Sequence, residues 1–324
     1  MNVDKQKTAI ISGITGQDGA YLTKLLLSKN YTVIGLTRSY TNSKIKNLEY
    51  LGLHNLVTIE ECDLLDFSSL LKLFTKFNPD EFYNLGAQSS VGLSFEQPIG
   101  TIHYNTISVL NILEAIRILK LNTKFYQASS SEMYGKVNHL PIDDKTPLHP
   151  LSPYAISKAS AYWTVINYRE SYGIYGVNGV LFNHESYLRS NNFFVKKVII
   201  SALEIATGNL AYLKVGNIDI KRDFGYAPDY VDAMFLSLQQ EKAGDYFICS
   251  GNSIYLRDIV EYVFKKFNIP LDKIVIDPHF FRPAEILDLY GDNQKAKSDL
   301  GWNYSKSFYE VLDLLIEEEL KNQK

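Results

Sequence analysis

TAIISGITGQDGAYLTKLLLSK, residues 8–29, is a short apolar run, a glycine-rich turn and a helical pattern, in that order. A strand that turns at once into a helix gives meaning to Gly13, Gly16 and Gly19. Glycines let the backbone turn sharply and approach a pyrophosphate. The helix that follows offers free N–H groups and a partial positive charge. A glycine-rich turn alone is a weak signal, and an ordinary helix entry is its competing reading. Its place at the head of a strand–helix series favours a cofactor loop made of Gly13, Ile14, Thr15, Gly16, Gln17, Asp18 and Gly19.

Outward from this stretch the alternation continues. Apolar runs at 31–36, 56–61, 81–86, 124–129 and 175–182 read as strands. Helical patterns at 69–77, 105–119 and 157–172 lie between them. Strands alternating with helices define an α/β protein whose parallel sheet is doubly wound, of the Rossmann kind. The second half is less regular. Residues 183–224 read as loop and helix, 229–240 as a helix and 245–250 as a further strand. After Gly251 come helices at 256–267 and 308–320, with a short strand at 273–276 between them. The expected division is a nucleotide-binding domain over 1–182 with 225–250, and a smaller substrate-binding lobe over 183–224 with 251–324.

Apolar residues are 46 % and charged residues 21 % of the 324, so a packed core is expected rather than disorder. A net charge of −3 predicts binding neither to nucleic acid nor to an anionic membrane. The two cysteines, Cys62 and Cys249, form no close pair, which suits a reducing compartment. No apolar run approaches membrane-spanning length and no signal peptide is legible, so a cytoplasmic location is expected. No metal site is expected.

Ligands of an open parallel sheet bind at the carboxyl ends of its strands. The second strand ends in Thr37 and Arg38, where an NAD enzyme would carry an acid for the ribose hydroxyl. A guanidinium suits a 2′-phosphate, so NADP is favoured; a plain surface arginine is the competing reading. Asp63 and Leu64 end the third strand, where an adenine edge would lie, and Leu85, Gly86, Ala87, Gln88 and Ser89 end the fourth.

Tyr154 and Lys158 stand four residues apart, on one helix face. The lysine charge, with the cofactor's own, is expected to lower the tyrosine pKa and let it take a proton from a sugar hydroxyl. Many such pairs are solvated helix faces. The ASSSEMYG segment, 128–135, strengthens this one. Ser130 can bond the substrate oxygen that Tyr154 deprotonates. Glu132 can remove a proton from a carbon made acidic by a neighbouring ketone, although alone it would read as a loop acid.

These residues sit in a longer pattern: YNLGAQSSVGLSFEQP, FYQASSSEMYG, SPYAISK, INYRESYG, LFNHES, GNIDIKRDFGYAPDYV, FFRPAEI and GDNQKAKSDLGW. The chain closely resembles GDP-mannose 4,6-dehydratases of the extended short-chain dehydrogenase/reductase superfamily, from about Thr8 to Trp302. The resemblance implies an internal redox cycle. Tyr154, Lys158 and Ser130 would assist oxidation at C4 of the hexose, and Glu132 would take the C5 proton and help expel water from C6. The hydride would then return to C6. It also implies cofactor contacts at His184 and Arg189, and substrate contacts at Ser89, Glu132, Asn183, Lys197, Gly216, Arg222, Arg282 and Glu285. Taken singly, each has a plainer reading as a core histidine or a surface charge. Family members form dimers through two helices each, and often tetramers.

The chain departs from the family pattern at three places. Ser130 replaces a usual threonine, keeping the hydroxyl but losing β-branched stiffness. Tyr187-Leu188-Arg189-Ser190 stands where Pro-Arg-Arg-Gly or Pro-Leu-Arg-Gly is common, and Ser39 follows Arg38 in place of a second arginine. A related GDP-sugar enzyme is the alternative: a GDP-heptose dehydratase, a GDP-4-keto-6-deoxymannose reductase or an epimerase. A non-catalytic nucleotide-sugar binder is a third reading.

Overall fold

The computed structural model describes residues 6–38 and 45–322; Ser39 lies outside them. The first half runs β1 (Thr8–Ser12), α1 (Gln17–Ser28), β2 (Thr32–Thr37), α2 (Lys46–Tyr50), β3 (Thr58–Glu61) and α3 (Phe67–Phe77). It continues with β4 (Glu81–Asn84), α4 (Val91–Glu96), α5 (Pro98–Ile118), β5 (Lys124–Ser130), α6 (Pro153–Tyr172) and β6 (Gly176–Leu181). The second half has β7 (Asn183–Glu185), α7 (Phe194–Ala206), β8 (Leu213–Val215), β9 (Lys221–Tyr226), α8 (Ala227–Leu238) and β10 (Asp245–Ile248). Then follow β11 (Ser253–Tyr255), α9 (Leu256–Lys266), β12 (Ile274–Ile276), α10 (Gln294–Leu300) and α11 (Phe308–Asn322).

Seven strands form one parallel sheet in the order β10-β6-β5-β4-β1-β2-β3. The order reverses between β1 and β4, so the carboxyl ends of these two strands flank the switch point where such sheets bind ligands. Side chains alternate across the sheet. Ile10, Phe82 and Phe125 pack against Phe74 of α3, Ile112 of α5 and Val165 of α6. Ile11, Tyr83 and Tyr126 point the other way, towards Leu22 of α1 and Val231 of α8. Each fully buried large apolar side chain contributes about 1.5–3 kcal/mol relative to exposure.

The smaller lobe has its own core. Val198 of α7, Val263 of α9 and Leu312 of α11 close over Leu213 and Val215 of β8. A further cluster, including Met133, Phe182, Phe247 and Ile286, joins residues from both halves of the chain. Residues 183–224 hold more strand than expected: β7 and β9 pair in parallel, β11 adds to β9 antiparallel, and β8 pairs with β12. Among these three-residue strands β12 was expected, its IVI run being wholly β-branched, whereas β7, β8 and β11 carry no such run. Residues 294–304, expected in the lobe, pack elsewhere: Ala296, Leu300, Trp302 and Tyr304 share a core with α1 and α8. Trp302 anchors the segment by donating its indole N–H to the Asp229 carbonyl at 2.9 Å. Among the described residues no helix is long and apolar enough to cross a membrane.

Candidate active site

The loop between β1 and α1 is shaped by contacts that exclude side chains. Gly13 has φ +72°, and a Cβ there would lie 2.9 Å from the Gly86 nitrogen and the Leu85 carbonyl carbon. A Cβ on Gly19 would stand 2.4 Å from the Gly13 oxygen. Ile14 anchors the loop from beneath, filling the space left by Gly35, and Asn47 donates to the Thr15 carbonyl at 3.0 Å. Gly16 caps α1 with backbone only, and among the described residues no side chain caps that end. Its first N–H groups are therefore available to an anion.

Two loop side chains are committed to the protein itself. Gln17 donates to the His184 carbonyl at 3.1 Å and to Asp18 at 3.0 Å, and accepts from the Ser186 hydroxyl at 2.8 Å. Asp18 meets His184 Nε2 at 2.9 Å. Burial alone would raise the Asp18 carboxyl, but the His184 charge and hydrogen bonds hold it down at about 2. Burial would lower the His184 pKa; Asp18 outweighs it and leaves the imidazole above its ordinary value. Arg189 lies over the Phe193 ring at 3.7 Å and 3.6 Å from Glu185, and its buried Nε is without a hydrogen-bond partner among the described residues.

Ser152 and Pro153 place the tyrosine. The Ser152 hydroxyl accepts from the Ala155 N–H at 3.1 Å, and Pro153 takes the first helical position. Tyr154 therefore sits in the first turn of α6, with Lys158 one turn on. β5 delivers Ser130, whose hydroxyl accepts from the Glu132 N–H at 3.3 Å and lies near enough to the Tyr154 phenol to favour its ionised form. Lys158 Nζ donates to the Ala128 carbonyl at 2.7 Å and lies 5.8 Å from the Tyr154 ring centre. The expected lowering of the tyrosine pKa is not found in the protein alone. Burial pushes Tyr154 up to about 12, with the Glu132 charge adding to it against the Ser130 hydroxyl. Burial likewise pushes Lys158 down to about 8. The Lys158 ammonium is spent on the Ala128 carbonyl, and burial sets the direction of both pKa values.

On the other side of Glu132 lie two arginines. Arg282 Nη1 stands 3.7 Å from Glu132 Oε1. Arg222 is buried, donating to the carbonyls of Ile286 at 2.6 Å and Lys221 at 2.7 Å, with Glu285 at 3.4 Å. Burial lowers its pKa, while the Glu132 and Glu285 charges oppose this. Asn183 donates to the Asp223 carbonyl at 3.2 Å. Lys197 lies over the Phe280 ring at 4.4 Å, and Gly216 leaves room for the Phe280 backbone, which a Cβ would approach to 2.6 Å.

The remaining expected residues line the strand ends. Arg38 is exposed, 5.2 Å from the Tyr104 ring, and Asp63 acts on the same tyrosine. Leu64 is buried. Gly86 donates to Ser12 Oγ at 3.1 Å. Ser89 is exposed and Leu85 and Ala87 half-buried. Gln88 spends its amide on Ser90 and Thr101, both at 3.0 Å, so its side chain shapes its own loop.

Several supporting residues escaped the sequence reading. Asn105 links the Gln88 N–H at 2.9 Å to the Ser157 hydroxyl at 3.0 Å, tying the β4 loop to α6. Tyr230 stacks on His184 with centroids 4.9 Å apart. Asp223 accepts from the Ser250 and Gly251 N–H groups at 2.9 and 3.0 Å, and burial pushes its carboxyl up to about 6. Only its place beside the expected Arg222, in the charged run KRDF, could have signalled Asp223.

A glycine turn at the switch point of a doubly wound sheet defines the class of dinucleotide-binding α/β proteins. The family model described as GDP-mannose 4,6 dehydratase matches residues 10–315. A GDP-mannose 4,6-dehydratase of Sinorhizobium fredii is 40 % identical over 341 residues, covering 97 % of each chain. The chain belongs to the GDP-mannose 4,6-dehydratase family. Solved structures share the fold. A UDP-glucose 4-epimerase of Thermotoga maritima, solved with UDP-glucose, has TM-score 0.87 at 23 % identity, covering 98 % of this chain and all 100 % of that one. RMD of Pseudomonas aeruginosa, complexed with NADPH, has TM-score 0.81 at 24 % identity, with the same 98 % and 100 % coverage.

Proposed function

We propose that this enzyme converts GDP-mannose to GDP-4-keto-6-deoxymannose and water, with the sugar oxidised at C4 and reduced at C6 within one turnover. The observation that carries the reading is the meeting of Ser130, Tyr154 and Lys158 with Glu132, beside Arg222 and Arg282, in a chain whose relatives are dehydratases along its whole length. The reductase and epimerase alternatives give Glu132 no task.

A nicotinamide cofactor fits the residues present: α1 begins without a side-chain cap, and the buried Arg189 Nε, 3.6 Å from Glu185, has no hydrogen-bond partner among the described residues. Arg38 beside Tyr104, with no acid in its place, favours NADP. A nicotinamide cofactor held by the open start of α1 and by Arg189 would supply a reversible hydride acceptor for C4 and donor for C6. Tyr154 takes the proton from the C4 hydroxyl, Ser130 bonding the same oxygen. The phenol held up at about 12 needs added positive charge before it can act as a base, which reserves the step for the cofactor-loaded protein. The new C4 ketone acidifies C5. Glu132 takes that proton and gives it to the C6 hydroxyl, which leaves as water as the C5–C6 double bond forms; hydride addition at C6 is completed by a solvent-derived proton at C5. Arg222 and Arg282 supply fork-shaped donors for the diphosphate.

A second copy of the chain fits the outer faces of α5 and α6. Ile99 is 85 % exposed and Trp163 58 %, with Leu110 and Ile156 also exposed. Ile156 and Trp163 stand seven residues apart, on one helix face. Trp163→Glu is expected to shift sedimentation toward monomer.

The function is tested by incubating the enzyme with GDP-mannose and NADP in deuterated water. A 4-keto-6-deoxy product with deuterium at C5 supports the reading. An unchanged GDP-mannose contradicts it; turnover of GDP-heptose or of a UDP- or TDP-hexose instead would keep the mechanism and correct the substrate.

A further inference from the structure

Both ring nitrogens of His184 face groups that only accept hydrogen bonds. Nδ1 lies 2.7 Å from the Phe182 carbonyl oxygen and Nε2 lies 2.9 Å from the Asp18 carboxylate. A neutral imidazole carries one N–H, so only the imidazolium satisfies both. The ring is buried and lies nearly parallel to Tyr230, whose face favours a cation. Its partner Asp18 stands in the first turn of α1, where the helix end is otherwise open to an anion. An unpaired carboxylate there would repel a pyrophosphate.

We propose that Asp18 and His184 are a positioning ion pair: the imidazolium neutralises the carboxylate at the mouth of the phosphate loop, and the ring itself makes no hydrogen bond to the cofactor. The proposal rests on the NADP(H) reading above. It reassigns His184 from a direct contact to a group acting through Asp18. Gln17 and Ser186 complete the interlock between the loop and β7.

The pair has titratable neighbours on every side. Tyr230 comes from α8, Tyr154 and Lys158 from α6, Tyr126 from β5, and Glu185 and Arg189 follow His184 in the chain. Arg189 opposes protonation of His184 and Asp18 favours it. As pH rises through the elevated His184 pKa, one N–H is lost. An acceptor is then left facing an acceptor, and the Asp18 charge stands uncompensated. Lys158, pushed down to about 8, titrates in a neighbouring window and must be separated.

The test titrates NADPH into the purified full chain by fluorescence between about pH 6 and about pH 9, a range that brackets histidine titration. The wild type is expected to bind more weakly as pH rises. His184→Gln is expected to bind about tenfold more weakly at neutral pH, the scale of one charge-assisted hydrogen bond, and to lose most of the pH dependence. Asp18→Asn combined with His184→Gln is expected to regain most of that affinity, since neither charge remains; a pH dependence owed to Lys158 would survive in it. Nitrogen-15 NMR of the histidine-labelled wild type should show one ring with both nitrogens protonated above the ordinary histidine pKa, a readout independent of how the variants fold. A double variant no better than His184→Gln, a wild-type affinity flat with pH, or a neutral His184 ring would each overturn the proposal while leaving the cofactor reading standing. A wild type that binds no NADPH at any pH would overturn both.

Discussion

Asp18 meets His184 at 2.9 Å behind a stacked tyrosine, whereas Arg282 approaches Glu132 only to 3.7 Å. The Arg282 side chain is 36 % exposed and that of His184 8 %, so water screens the Arg282–Glu132 pair more than the Asp18–His184 pair. The proposed cofactor side is thus interlocked before any ligand arrives, through Gln17, Asp18, His184 and Ser186. The proposed substrate side is held at its base by buried Arg222 and left loose at Arg282. A cofactor retained through a redox cycle suits the first arrangement. A substrate that enters and leaves on each turnover suits the second.

Substitutions can break this contrast. Glu132→Gln is expected to lower kcat by about 10²–10⁴, the scale of a lost general base, with NADPH affinity unchanged. Arg222→Met removes the buried base of the substrate side and is expected to cost about 3 kcal/mol in urea denaturation, because Glu285 and two carbonyls lose their partner. Gly13→Ala forces a side chain onto the Gly86 backbone at φ +72° and is expected to cost about 1–3 kcal/mol, read by thermal melting, and to weaken NADPH. Arg282→Gln is expected to raise KM for GDP-mannose while changing stability by less than about 1 kcal/mol, since its ion pair is exposed.

A pH experiment sharpens the contrast further. Asp223 joins β9 to the turn after β10, and burial raises its folded pKa to about 6, above the unfolded carboxyl value of about 3.9. A raised folded pKa contributes stability that is full below the unfolded value and is lost as pH rises through the folded one. Stability should therefore decline between about pH 4 and about pH 6 in the wild type, and Asp223→Asn should flatten that decline in urea titrations.

The parallel sheet was legible because its strands are buried on both faces and read as apolar runs between helices, as EFYN in β4 and GVNGVL in β6 show. The family motifs brought Ser130, Glu132, Tyr154 and Lys158 together, and the structure sets them around one phenol. Helix starts were read late: α5 and α6 begin at Pro98 and Pro153, several residues before their apolar periodicity becomes visible. β7, β8 and β11 were missed because three residues carry no period and these hold no β-branched run. β9 was missed because two of its four buried positions are Arg222 and Asp223, whose burial is compensated by carbonyls and N–H groups that no sequence pattern displays. The direction of the Tyr154 pKa also lay out of reach, since it is set by burial of the phenol, which a helix-face pattern does not display.

The central claim is that one hydride leaves C4 and returns to C6 of the same sugar. GDP-mannose carrying deuterium at C4 tests it directly, with the product's label located by NMR. The account predicts deuterium on the C6 methyl group, with NADP unchanged in amount after many turnovers. A product without deuterium at C6, or stoichiometric accumulation of NADPH, would contradict it.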